Sequence, residues 1–413
     1  MTAAAVEDGW RRWAPHVLAA LVRRYGDFDA AEDAVQEALL AASRQWPVDG
    51  VPDDPPAWLI RVASRRLIDQ WRADSARAGR EALVARQALL ARQAVESPEQ
   101  PADQDDSLAL LLLCCHPALN RPAQVALTLR AVAGLSTGQI ARGFLVPEPT
   151  MAQRISRAKA RLREVGARFS LPTTDELPGR VAAVGQVLYL IFTEGHTATT
   201  GADLTDPELV HEAIRLTRQL HRHLPTAGEV TGLLALMLLT DARRPARTAP
   251  DGSLVPLAEQ DRTRWDRALI AEGIGLIEGA LPHGQVGPYQ LQAAIAAVHA
   301  EAPTAAQTDW RQIETLYRML AALTPTPAVA LNHAVAVAQV DGPAAGLRLL
   351  EPLLADRQLR RYHRLHAVHG HLLELAGRPD AARLSFATAA RLATSIPEQR
   401  YLNARAQPGD LSL

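Results

Sequence analysis

The chain has 413 residues, enough for two to four domains, and 48% of them are apolar, enough for a packed core in each. Aromatics make up only 4%, while alanine, leucine and arginine abound, a composition suited to helices because those side chains lose little freedom on entering one. A formal net charge of −1 excludes a uniformly cationic nucleic-acid binder, and the longest apolar run, Leu108 to Cys115, is too short to span a bilayer.

In chain order, residues 10 to 46 read as helix, with apolar residues at helical spacing and a break at Gly26 and Asp27. Trp46 to Pro56 contains four prolines and Gly50 and reads as a loop. A helix restarts at Ala57, its apolar side formed by Leu59, Val62, Ala63, Leu67 and Ile68. Residues 93–107 are acidic, carry two prolines and lack periodicity, which predicts a linker. A compact helical unit covers 108–170, a second linker 171–179, and a long helical part 180–413. Turns punctuate that last part near 225, 245 to 256, 282 to 288, 324 to 327, 341 to 343 and 377 to 379. Two of its segments, 331 to 353 and 369 to 393, each read helix, glycine turn, helix, which at a period of about 34 residues suggests tetratricopeptide-like repeats. No strand-like alternation of useful length is present, so the expected class is all-α.

The near-neutral total hides two basic islands. From Ala57 to Arg92 the balance is +5, and from Leu108 to Ser170 it is +7, with Lys159 the sole lysine of the chain. Two separated islands suit a two-point contact with nucleic acid, although two solvated helix faces would look the same. The adjacent Cys114 and Cys115 lack the spacing of a disulfide framework or a metal site, and read as small buried apolar residues in a reducing compartment. With no N-terminal basic-plus-apolar signal, the expected location is the cytoplasm.

Three stretches carry chemistry. In RYGDFDAAEDAVQEALLAA (24 to 42), Asp33, Gln36 and Glu37 fall at i, i+3 and i+4 and form one polar, acidic helix face. In AWLIRVASRRLIDQWRADSAR, starting at Ala57, arginines lie mostly off the apolar side, where they suit phosphate contacts. Trp46, Trp58 and Trp71 read as core. In GLSTGQIARGFLVPEPTMAQRISRAKARLRE (134 to 164), two helices meet at a short turn, with Ser136 and Gln139 spaced as a capping box and Thr150 placed to cap the second helix. A helix-turn-helix puts the start of its second helix into the major groove, where Gln reads adenine and Arg reads guanine.

DAVQEAL (33 to 39) resembles the segment by which sigma-70 proteins grip the clamp helices of core RNA polymerase, which assigns Asp33, Gln36 and Glu37 to polymerase binding. The helix from Ala57 is similar to the promoter −10 helix of the extracytoplasmic-function group, W-L-x-x-I-A-x-N-x-x-x-D-x-x-R. Trp58, Leu59, Val62, Ala63, Asp69 and Arg72 match it, and Arg65 stands where Asn is common. The resemblance assigns Arg61, Arg65, Arg66, Asp69 and Arg72 to −10 DNA, and the proline-rich loop to an extruded base. QRISRAKARLR resembles the −35 helix of the same family. Carried over, Gln153, Ser156 and Arg157 face bases and Arg154 and Lys159 face phosphates, while Ala152 and Leu145 depart from the usual Lys or Arg and turn Gly. The extension carries VLYLIFTEGH, EQDRTRWDRALI and GPYQLQAAIAAVHAEA, which look like signatures of a sigma subgroup with a tetratricopeptide-like tail.

The expectation is therefore an all-α sigma factor: sigma region 2 at 1–92, a region 4 helix-turn-helix at 108–170 and a helical regulatory tail at 180–413. Its expected partners are core RNA polymerase (clamp helices and flap), promoter DNA, and its own tail in intramolecular contact with the sigma modules, with no membrane. No catalytic residue, cofactor or metal is expected. The charges from Glu259 to Arg267 read as interhelical ion pairs, and His363, His366, His369 and His371 as surface or satisfied core residues. The rival readings are a DNA-binding regulator with a repeat-based sensor, which has no use for the DAVQEAL face, and an enzyme housed in 180–413.

Overall fold

The computed structural model of the chain describes residues 3–78, 106–144, 146–167, 169–197, 205–250, 252–281 and 286–407. Among these the only β pairing is an isolated bridge between Thr248 and Leu254. The departure at Leu145, most of the 93–107 linker, and Arg80, Arg86 and Arg92 of the first basic island lie outside the described residues. Two compact units divide the chain at 190/191.

In the first unit, α1 (Ala3–Tyr25), α2 (Phe28–Asp49) and α3 (Pro55–Ala78) pack pairwise on one another. Gly26 takes φ +70°, where a side chain would be strained, and Asp27 then caps α2 by accepting from the Ala30 amide at 3.1 Å. The apolar stripes close on Val17, Leu21, Val35, Leu59 and Leu67, all at most 2% exposed, each worth about 1.5–3 kcal/mol of burial. Trp46 sits between Trp13 and Trp58, edge to face, with centroids 5.7 and 5.4 Å away. Trp46 and Trp71 are buried as expected, while Trp58 is only half-buried. The loop expected from Trp46 to Pro56 shrinks to residues 50–54. Pro47 falls in the last turn of α2, where its missing N–H removes a single bond, and Gly50 closes the helix by donating to the Trp46 carbonyl at 3.1 Å.

Next come α4 (Ser107–Cys114), α5 (Arg121–Ala131), α6 (Thr137–Gly143) and α7 (Glu148–Glu164). Every residue of α4 except Leu108 is buried, including Cys114, and burial pushes the neighbouring Cys115 thiol up to about 12, so both act as small apolar groups. Ser136 and Gln139 form the expected capping box. Thr150 does not cap α7: the helix starts at Glu148, with Pro149 in its first turn, and Thr150 lies inside it. A further helix, α8 (Leu177–His196), starts within the segment read as a linker. Its first half belongs to this unit: Arg180 donates to the Leu112 carbonyl at 3.1 Å and Arg121 to that of Ala183 at 3.3 Å.

In the second unit, α9 (Pro207–His223), α10 (Gly228–Asp241), α11 (Arg267–Ala280), α12 (Pro288–Glu301), α13 (Trp310–Leu323), α14 (Pro327–Asp341), α15 (Pro343–Ala355), α16 (His363–Leu375), α17 (Pro379–Leu392) and α18 (Ile396–Ala406) pack mainly on their chain neighbours. That is the pattern of a helical repeat. The two segments read as repeats are the hairpins α14–α15 and α16–α17, turned at Gly342 (φ +88°) and Gly377 (φ +70°). Helices α10 and α12 also cross closely. A Cβ on Gly232 would lie 2.6 Å from the Gln290 backbone nitrogen, and Glu229 of α10 accepts from the Tyr289 and Gln290 amides that open α12.

Candidate polymerase and nucleic-acid interface

Burial on α2 alternates as its sequence dictates. Ala31, Ala34, Val35 and Ala38 turn inward, and Asp33, Gln36 and Glu37 are exposed together on the opposite side. On α3, Leu59, Ala63 and Leu67 are buried while Arg61, Arg65, Arg66, Asp69 and Arg72 are exposed. Two loose surface pairs tie this row together, Arg66–Glu37 at 3.6 Å and Arg72–Asp69 at 3.7 Å. Pairs this exposed contribute at most about 1 kcal/mol, so they yield readily to a stronger partner.

Met151, Ile155, Ala158 and Leu162 hold α7 to its unit, which leaves Gln153, Ser156 and Arg157 exposed. Gln153, Arg154 and Arg157 line one open groove with Thr150, Arg161 and the Leu119–Pro122 turn. Four of the five residues assigned to −35 DNA thus share an accessible surface or its edge. The fifth, Lys159, does not. It is 14% exposed and its ammonium is ion-paired to Glu32 and, at 3.1 Å, to Asp29, both on α2.

This seam joins the two halves of the first unit. Glu32, at 5% exposure, also accepts from Arg130 Nε of α5 at 2.7 Å. Asp29 pairs with Arg163 as well, and Arg23 of α1 with Asp106 at 2.7 Å. Burial pushes the Glu32 carboxyl up, but Lys159 and Arg130 together outweigh it and hold the group below the usual carboxylate range. Gln36 of the exposed acidic face lines the cleft beside the seam, opposite Ser136 and Gln139. The sequence reading passed over Glu32 and Asp29. The available signal was an acid, Glu32, set among Ala31, Ala34 and Val35 on the apolar side of α2, a position that costs stability unless a buried cation answers it.

In the second unit the expectation of interhelical ion pairs from Glu259 to Arg267 is corrected. Asp261 and Asp266 cap their own turns, accepting from Thr263 and from Ala268 and Leu269. Arg262 donates instead to the His299 and Ala302 carbonyls at 2.5 and 2.6 Å. The C-terminal histidines have local partners: His363 lies 3.2 Å from Glu398, His366 donates to the Arg360 carbonyl at 2.9 Å, and His369 meets the Ser385 hydroxyl at 3.1 Å.

A three-helix module with a cationic outer row and a helix-turn-helix joined to it, followed by a long helical extension, match the module order of a transcription initiation factor. The chain belongs to the sigma-70 family of RNA polymerase sigma factors, in the extracytoplasmic-function-like group with a C-terminal extension. Residues 10–77 match the family model of Sigma-70 region 2 and residues 109–162 that of Sigma-70, region 4. Residues 180–281 match a family of unknown function, DUF6596. An uncharacterized protein of Rhizobium meliloti (strain 1021) is 43% identical over 390 residues, which cover 94% of this chain and 92% of that one. A probable ECF RNA polymerase sigma factor, SigI, of Mycobacterium tuberculosis is 33% identical over 162 residues, covering 38% of this chain and 54% of the relative, about half its length. No solved structure matches.

Proposed function

We propose that this sigma factor acts in the cytoplasm, catalyses nothing itself, and directs core RNA polymerase to promoters through two DNA contacts. Asp33, Gln36 and Glu37 bind the polymerase clamp helices and the region 4 module its flap. Arg61, Arg65, Arg66, Asp69 and Arg72 hold the −10 strand. Gln153, Ser156 and Arg157 read −35 bases, and Arg154 and Lys159 hold phosphates. The observation that carries this reading is the joint exposure of the assigned residues on α2, α3 and α7, beside fully buried apolar stripes on the same helices. Lys159 requires one addition: it reaches DNA only after leaving Glu32 and Asp29, so promoter binding opens the seam.

The tail regulates these modules through intramolecular contact, and is a required part. Support comes from α8, which runs unbroken across the division between the two units, since a module held near its target has a high effective concentration. Deleting it calls for a cut after His196, because α8 residues as far as Gln186 bond to the region 4 module. In vitro transcription compares the full chain with residues 1–196 at equal concentration. Lower promoter-directed activity in the shortened, folded protein is expected; equal activity across a promoter panel would end the regulatory reading.

A further inference from the structure

The second unit buries a cluster of guanidiniums whose hydrogen bonds go to neutral acceptors. After α10 the chain runs through a 3₁₀ turn, Arg244–Ala246, and a loop clasped by the Val255 amide on the Arg247 carbonyl at 2.8 Å. It returns through a second turn, Arg262–Arg264, where the Asp266 amide donates to the Ala242 carbonyl at 2.9 Å. That bond ties together the chain positions next to Trp265 and Arg243, and Arg262, which lies over the Trp265 ring, also acts electrostatically on Arg243.

Three guanidiniums converge here. Arg247 and Arg262 are each 8% exposed. Arg247 donates to the His196 carbonyl at 2.5 Å and to Thr197 Oγ1 at 3.1 Å. Arg262 lies over the Trp265 ring, 4.7 Å from its centroid, and spends its donors on carbonyls and Thr308. All of these acceptors are neutral. The Arg243 backbone bonds within its own turn, to the Thr240 carbonyl at 3.4 Å and from the Ala246 amide at 3.0 Å, but its side-chain Nε is buried with no acceptor. Trp265 Nε1, on a side chain 3% exposed, is likewise buried with no acceptor. The nearby acids are committed: Asp241 to Arg244 at 2.9 Å, and Glu398 to His363 at 3.2 Å. Burial and the surrounding arginines drive both facing histidines towards the neutral form, His196 well down and His299 to about 4. Burial also lowers Arg243 and Arg247 to about 10, with Tyr317 partly offsetting this at Arg243 and Glu398 and Asp241 at Arg247.

Buried charges are paired in folded proteins because a lone one is costly, and an unused guanidinium N–H and an unused indole N–H in one buried cluster match an oxyanion. We propose that Arg243 and Trp265, backed by Arg247 and Arg262, form a binding site for a small oxyanion, the phosphate or carboxylate group of a small metabolite. The site belongs to the second unit alone and stands or falls apart from the sigma assignment.

The test is thermal unfolding of the full chain titrated with sodium phosphate, sodium succinate or sodium chloride at matched ionic strength. A saturable rise in Tm with phosphate or succinate over chloride is expected, and whichever acts assigns the group. Arg243→Met weakens that response at least about tenfold, the cost of losing a charged hydrogen bond, and raises the starting Tm because a buried unpaired charge is gone. Trp265→Phe, which keeps the ring and removes one donor, weakens it about threefold. A purely structural Arg243 would give the reverse: a lower starting Tm in Arg243→Met with the wild-type anion response intact. That result, or identical curves for the three salts in the wild-type chain, would overturn the proposal.

Discussion

Replacing Glu32 by Gln keeps the side-chain shape and can keep the acceptor for Arg130, but removes the charge that Lys159 and Arg130 share. Glu32 is 5% exposed, and the Lys159 and Arg130 side chains are 14% and 18% exposed, so solvent screens the orphaned cations only in part. Removing one partner of a fully buried pair costs about 3–5 kcal/mol. Partial exposure of the cations and the retained hydrogen bond reduce this to roughly 1–3 kcal/mol. The loss falls on the contact between α2 and the region 4 module. Spin labels at Gln45→Cys and Arg142→Cys, both exposed in wild type and within three residues along the chain of the cleft-lining Ser43 and Gln139, report that contact as a distance distribution. Glu32→Gln is expected to broaden and lengthen the distribution. It also releases Lys159, so binding of a −35 duplex tightens about tenfold, equivalent to ~1.4 kcal/mol. An unchanged distance distribution with unchanged or weaker DNA binding would refute the seam as a competitor of promoter DNA.

Arg157→Ala is expected to cost about 1–3 kcal/mol at one −35 base pair and relax preference there, while Arg154→Ala weakens all sequences alike; transcription from promoter variants separates the two. Gly232→Ala drives a Cβ to 2.6 Å from the Gln290 backbone and costs about 1–3 kcal/mol of second-unit stability, read by chemical unfolding. Acid destabilises the same unit early. His299, lowered to about 4 by burial and by Arg243 and Arg262, refuses the proton that the unfolded chain takes up near 6.5, so stability present at pH 7 declines as pH falls from about 6.5 towards 4. From pH 6.5 to 5 this amounts to ~2 kcal/mol, and His299→Phe flattens the decline in Tm over that interval.

Helix identity was legible wherever one periodic stripe decided it: α2, α3 and α7 bury the apolar residues that their spacing singles out. The capping box at Ser136 and Gln139 was legible because its two bonds are local. The end of α2 was not, because a proline costs little in a last turn, and proline content alone suggested a loop. The start of α7 was misplaced at Thr150 because Pro149 reads equally as a turn residue and as a first-turn residue. The seam at Glu32 and the cluster at Arg243 were hidden for a different reason. Each joins residues brought together only by tertiary packing, in the seam as far apart as 134 positions, and in sequence a buried acid and a surface acid are the same letter. Arg262 and Asp266 looked like partners for interhelical ion pairs, and only the fold shows one spent on carbonyls and the other on a helix cap.

The sigma assignment is tested most directly by co-purification of the tagged chain with core RNA polymerase from the host, set against Asp33→Arg/Glu37→Arg. Charge reversal on the exposed α2 face turns attraction into repulsion there without touching the core. The expected result is stoichiometric polymerase subunits with the wild-type chain and none with the double variant, at equal helicity by circular dichroism. Undiminished capture by the folded double variant would contradict the assignment of that face, and absence of polymerase from the wild-type preparation would contradict the proposed polymerase contact itself.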